Sequence, residues 1–208
     1  MADGDHKISD ETTLRSRYRA VSKLAEQKVM PRLDRHSRAF IAISPFLCIS
    51  TAAENGKADV SPRGDPPGFV QVLDDETLLI PDRSGNNRLD TFSNIIANPN
   101  VGLIFFVPGM EETLRIDGTA EVVAEHPALA NCAVGGSVPE TGILVRVAHA
   151  HLHCAKALKR AKLWDTEEQI DRKSFPTLGK MITDQVAELE MSAEEADERI
   201  DKGYNKLY

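Results

Sequence analysis

Apolar residues follow two regimes along this chain. Between residues 46 and 150 they come in short runs cut by turn formers; outside that stretch they are scattered through charged, helix-forming sequence. Residues 11–43 predict two helical pieces, broken at Met30-Pro31 because proline lacks the donor a helix interior needs. The second piece, 34–43, stops at Ser44-Pro45. Phe46-Leu-Cys-Ile-Ser-Thr51 then reads as a core strand closed by the turn Glu54-Asn-Gly56, and short extended stretches follow at 57–61, 68–73 and 77–81, set apart by Asp65-Pro-Pro-Gly68 and Asp74-Asp75.

The period changes at Leu89, Phe92, Ile95 and Ile96, which recur at helical spacing and predict a crossing helix over 87–97 with Asn98-Pro99 as its stop. Strands resume at 101–107 and 113–123. A short helix is expected at 126–133, and an apolar alternation at 142–150 completes an expected count of six strands. Residues 153–163 favour helix, and Thr166-Glu-Glu-Gln169 and Ser192-Ala-Glu-Glu195 both have capping-box spacing. A surface helix is expected in 182–208. The organisation read from this pattern is an α+β chain, mainly β with flanking helices: a helical extension over 1–43, a barrel over 44–164 and a second helical extension over 165–208.

Composition narrows the chemistry. The formal charge is −7, with acid gathered at both ends, so neither nucleic acid nor an anionic membrane is the expected partner and any anion site must be local. No run approaches the roughly 20 apolar residues of a membrane span. The N-terminal stretch is polar and lacks a signal-peptide core, and Cys48, Cys132 and Cys154 form no CxxC, so a cytoplasmic protein without a disulfide framework is expected.

Two stretches look built for an anion. In Val60-Ser-Pro-Arg-Gly-Asp65 a hydroxyl and a guanidinium follow a strand, and glycine allows close backbone approach. In Pro81-Asp-Arg-Ser-Gly-Asn-Asn-Arg88 two arginines precede a helix N-terminus, where unpaired amides attract phosphate. The bland alternatives are a polar turn and a capped helix with surface arginines. His149, His151 and His153 stand at period two and would share a strand face, as in a zinc site, although strand-end packing or a phosphate-facing histidine is the reading preferred and no metal is expected. Lys156 and Arg160 share a helix face that ends at Trp164, with a solvated face as the alternative. Cys154 has no evident activating base and is read as structural. Walker A, GxGxxG, GxSxG and HExxH signatures do not occur.

The order of motifs resembles the FMN-binding split-barrel flavoproteins related to pyridoxamine 5′-phosphate oxidase, in particular a bacterial branch of them. The matching text is Arg38-Ala-Phe-Ile41 with Ser44-Pro-Phe-Leu47, Val60-Ser-Pro-Arg-Gly-Asp65, Leu79-Ile-Pro-Asp-Arg83, Gly85-Asn-Asn-Arg-Leu-Asp90, Asn98-Pro99, Glu112-Thr-Leu-Arg115, Gly118-Thr-Ala120 and His153-Cys-Ala-Lys156 with Leu163-Trp164. The resemblance implies a six-stranded FMN-binding split β-barrel, a homodimer, and FMN at the subunit interface. By that analogy Ser61, Arg63, Arg83, Asn87 and Arg88 lie near the ribityl phosphate. Thr113 stands where the oxidase has a glutamine near the flavin, and Lys156 and Arg160 border the pocket from the other subunit and stabilise the reduced, anionic flavin. The oxidase's basic strand motif and its tryptophan-arginine segment for pyridoxal phosphate are not found, so a different small-molecule substrate is implied. The reading is a flavin-dependent oxidoreductase; the alternative is a non-catalytic flavin or haem carrier or sensor on the same barrel, and F420 or haem could stand in place of FMN.

Overall fold

A computed structural model describes residues 6–186, 188 and 190–208, so the start of the N-terminal stretch and two positions within the acidic tail lie outside the described residues. In chain order the elements are α1 Glu11–Ser16, α2 Lys23–Gln27, α3 Arg35–Ile43, β1 Phe46–Ala52, β2 Ala58–Gly64, β3 Gln71–Val72, β4 Thr77–Pro81, α4 Asp90–Ala97, β5 Asn100–Phe106 and β6 Thr113–Ala124. A 3₁₀ helix over Pro127–Cys132 leads to β7 Thr141–His153. Then come α5 Lys156–Ala161, 3₁₀ turns at Thr166–Glu168 and Arg172–Ser174, α6 Leu178–Gln185 and α7 Ala193–Tyr204.

Local signals explain most of these boundaries. Asp34 caps α3 by accepting from the Ser37 amide at 2.8 Å, and α3 ends at Ile43, with Ser44 as its C-cap before Pro45. Ser192 and Glu195 complete the capping box expected for α7. The N-terminal extension departs from expectation, with three helices in place of two, because Ser22 caps a separate α2 through the Ala25 amide. The second capping-box match fails in a small way: Asp165, not Thr166, caps the turn that follows. Among the described residues no helix is long and apolar enough to cross a membrane.

All strands join one antiparallel sheet in the order β2-β1-β5-β6-β7-β4-β3. The sheet has seven strands and not the six expected: residues 68–73 contribute the short β3, which pairs with β4 only through Gln71 and Val72. Leu47 and Ile49 of β1, Leu78 and Ile80 of β4, Phe105 of β5, Leu114 and Ile116 of β6 and Val145 of β7 meet in the main core, while Leu79 of β4 and Leu144 of β7 pack with Leu129 in a second, smaller cluster. The two edges of the sheet, β2 and β3, are consecutive in the chain and form no ladder with each other among the described residues. Pro62 sits within β2, a placement that edge strands tolerate because one side needs no donor.

One irregularity decides which side chains face out. Along β6 and β7, Asp117 pairs with His149 but Gly118 pairs with Val147, so Ala148 is the extra residue of a β-bulge. Val145 and Val147 are buried before it and Ala150 after it, which reverses the parity of the inward positions. His149, His151 and His153 therefore fall on the outer face. Without the extra residue the same alternation would direct them at the core.

Candidate functional site

A cleft of about 350 Å³ lies where edge strand β2 faces the segment that runs from the end of β4 into α4. Asp59, Ser61 and Arg63 alternate toward it along β2, each half-buried, while the intervening Val60 and Pro62 are exposed. Pairing explains this alternation, because Ser61 and Arg63 stand opposite the buried Ile49 and Leu47 of β1. Across the cleft lie Asp82, Arg83, Asn87 and Arg88, with Leu89 to Phe92 at the start of α4.

The three arginines differ in what holds them. Arg63 donates from Nη1 to Ser61 Oγ at 2.7 Å and to the Pro62 carbonyl at 2.9 Å. Burial pushes its pKa down, partly offset by the charges of Asp82 and Asp59, and among the described residues no carboxylate lies within ion-pair distance of it. A partly desolvated cation with carboxylates near it but none in ion-pair contact is an anion-seeking group. Arg83 is already engaged: Nε meets Asp65 Oδ2 at 2.6 Å and Nη2 donates to the Cys132 carbonyl at 2.7 Å. Arg88 pairs with Asp90 at 2.7 Å, but its side chain is 71% exposed, and such pairs are worth little.

The backbone supplies the fourth wall. Asn87 and Leu89 both take left-handed conformations, at φ 57 and 58, and bring the chain sharply into α4. For leucine this conformation is unusual and costs free energy. Leu89 is the N-cap and offers no side-chain bond to the helix, so the first amides of α4 lack a side-chain cap where Leu89 to Phe92 line the cleft. Asp82, half-buried below, has its carboxyl pushed up by burial, against the opposing charges of Arg63 and Arg83. The arrangement offers one unpaired guanidinium, a hydroxyl and an uncapped helix start to a single anionic group.

Of the residues singled out from sequence, Ser61, Arg63, Arg83, Asn87 and Arg88 line this cleft together. Thr113, Lys156 and Arg160 do not. Thr113 is buried at the start of β6 opposite His153, and Lys156 and Arg160 are exposed on α5. That helix is tethered to the β5–β6 connection, where Trp164 Nε1 donates to the Met110 carbonyl at 2.7 Å and Lys159 meets Glu111 at 3.0 Å. The three histidines share a face but gather no metal site: among the described residues no group of three candidate ligands converges. His149 instead meets Asp117 at 2.9 Å, and the His151 and His153 rings stand edge-on at 6.2 Å. Among the described residues the buried Nδ1 of His151 has no partner.

Burial, followed by the charges of Lys28 and Arg115, holds His151 and His153 below the usual imidazole value of 6.5. The unfolded chain therefore binds more protons than the folded one as the pH falls through 6.5, and stability is lost on the acid side. The thermal midpoint should drop between about pH 7.5 and about pH 5.5, and a H151Q/H153Q variant should lose most of that slope. An unchanged slope in the variant assigns the acid sensitivity elsewhere.

Asp65, Asp82, Cys132 and Tyr208 were not read as site residues from sequence. Asp65 lay inside the 60–65 stretch but looked like turn chemistry, and Tyr208 carried no local signal. Beside the cleft is a smaller recess of about 160 Å³, lined in part by Asp65, Phe69, Gln71, Arg83 and Cys132.

A family model described as "Pyridoxamine 5'-phosphate oxidase" matches residues 33–153. No protein of curated description matches. Among solved structures, HupZ from Group A Streptococcus is similar at 17% identity and a TM-score of 0.46, covering 57% of this chain and 91% of its own. A putative pyridoxamine 5'-phosphate oxidase from Lactobacillus delbrueckii is similar at 18% identity and a TM-score of 0.45, covering 58% and 94%. An FAD binding protein from Mycobacterium smegmatis is similar at 16% identity and a TM-score of 0.42, covering 60% and 97%.

Proposed function

Because the chain belongs to the pyridoxamine 5′-phosphate oxidase family, we propose that it is a flavoprotein that binds FMN by its phosphate in the Arg63 cleft and uses it for redox chemistry on a small molecule. The observation that carries this reading is the state of Arg63: half-buried, with no carboxylate at ion-pair distance among the described residues, and on the same cleft as Ser61 and the uncapped start of α4. A phosphate monoester fits that donor set, because one dianion can take bonds from the guanidinium, the hydroxyl and the helix amides together. The flavin, when bound, supplies the electron transfer. The chain's own part is to hold the phosphate, to offer Asp59 and Asp82 as acceptors for ribityl hydroxyls, and to shape the approach to the ring. In this reading the sheet closes as a split barrel, and three free thiols suit a cytoplasmic setting.

The homodimer belongs to the same proposal. Lys156 and Arg160 do not line the cleft within one chain, so contact between them and a bound flavin would require a second copy. The outer face of the sheet supports this, because Phe46, Val60, Cys48, Ile104 and Phe106 leave it apolar where one would expect a solvated, polar face. Light scattering on the eluted protein should give about twice 22.9 kDa; a mass of one chain removes the homodimer.

The deciding experiment is an absorption spectrum of the native protein with mass identification of whatever it releases on denaturation. FMN bands and an FMN mass support the reading. F420 or haem would reassign the cofactor, and a colourless protein that takes up no added FMN would end the flavin hypothesis. Stable FMN with no reduction by NAD(P)H and no oxidation of donors would make the protein a carrier or sensor.

A further inference from the structure

Arg83 stands between two cavities. Its side chain borders the large cleft on one side and the small recess on the other. Its hydrogen-bond partners, Asp65 and Cys132, line the recess and not the cleft. Nη1 of the guanidinium has no partner among the described residues.

Asp65 is what fixes it. The Asp65 side chain is 2% exposed, its amide donates to the Pro45 carbonyl at 3.0 Å, and its two carboxylate oxygens are divided between two donors. Oδ2 takes Arg83 Nε, and Oδ1 takes the hydroxyl of Tyr208, whose ring lies 5.5 Å from the Arg83 guanidinium carbon. That division has a chemical consequence. A free carboxylate prefers to grip a guanidinium with both oxygens, through Nε and the adjacent Nη. With Oδ1 occupied by the phenol, Asp65 holds Arg83 by one bond only, Nη2 remains on Cys132, and Nη1 remains available.

We propose that Asp65, with Tyr208 completing it, is a positioning residue that presents the free edge of Arg83 to the phosphoryl group of the cleft's ligand. This rests on the phosphate-binding reading of the cleft. Asp65 touches no ligand itself. Loss of the Tyr208 hydroxyl frees Oδ1 to take a second guanidinium N–H, which turns the plane of Arg83 and with it the direction of Nη1. Loss of the Asp65 charge leaves a guanidinium without its anchor.

The test compares FMN with riboflavin, which lacks the phosphate, in fluorescence titrations of the full-length apoprotein. D65N is expected to weaken FMN binding about ten-fold or more, and Y208F by about five-fold, with riboflavin affinity moving less than about two-fold in either. In an R83Q background neither substitution should change the FMN-to-riboflavin ratio further, because the group they position is gone. If D65N does not fold, Y208F alone and in the R83Q background decides the matter. A ratio unmoved by these changes, or moved equally with and without Arg83, overturns the positioning role while the cofactor reading stands. Wild-type protein that binds neither flavin overturns both.

Discussion

Replacing Arg63 by glutamine is expected to weaken FMN binding by about 2–3 kcal/mol, on the order of 30- to 150-fold, the range for a lost hydrogen bond to a charged group. The expectation follows from what surrounds the side chain. It is desolvated, its hydrogen-bond acceptors among the described residues are the neutral Ser61 hydroxyl and the Pro62 carbonyl, and a bound dianion would meet it at ion-pair distance, closer than Asp82 or Asp59. Arg88 gives the contrast. It lies on the same cleft but is exposed and paired with Asp90, so Arg88→Ala should cost no more than about 1 kcal/mol, since an existing pair must break before a new one forms. Fluorescence titration of the apoprotein checks both, with riboflavin as the control. Equal losses in the two variants, or a riboflavin loss as large as the FMN loss in R63Q, would mean that Arg63 does not meet the phosphate.

Gly118→Ala should be the most damaging small change in the sheet. A Cβ built there would lie 1.9 Å from the Arg146 carbonyl oxygen and about 3 Å from two further backbone atoms, none of which can rotate away. The bulge would have to be rebuilt and with it the register of β6 on β7, at a cost of roughly 3–5 kcal/mol. Gly102 on the neighbouring β5 is the control. Its Cβ would meet Ser50 Cβ at 3.9 Å, an ordinary contact, so Gly102→Ala should stay within about 1 kcal/mol. Denaturant unfolding of the two variants measures the difference. If they unfold together, the close approach at Gly118 does not constrain the sheet.

How much of this was legible beforehand depends on the range of each signal. The strands at 46–51, 77–81 and 101–107 announce themselves by local apolar runs and turn residues, and their positions agree with β1, β4 and β5 to within a residue or so. The helix after Asn87 was legible from Leu89, Phe92, Ile95 and Ile96, but only Ile95 is buried, with Phe92 half-buried, because Leu89 is spent on the left-handed entry and Ile96 lies outward. The outward placement of the histidines depends on pairing across β6 and β7, so no property of β7 alone could announce it. Both arginine-bearing stretches were visible because a strand, a glycine and the cations are adjacent in sequence. The hold on Arg83 was not, because Tyr208 reaches Asp65 across 143 residues.

Both ends of the sheet are poor templates for further growth. β2 carries Pro62, which withholds a donor from any strand that approaches, and β3 offers only Gln71 and Val72. Continuous β-structure running from one molecule into another is thereby disfavoured at either margin. For the proposed homodimer this favours a face-to-face arrangement, against the outer surface that carries the Phe46 and Phe106 rings, 6.1 Å apart.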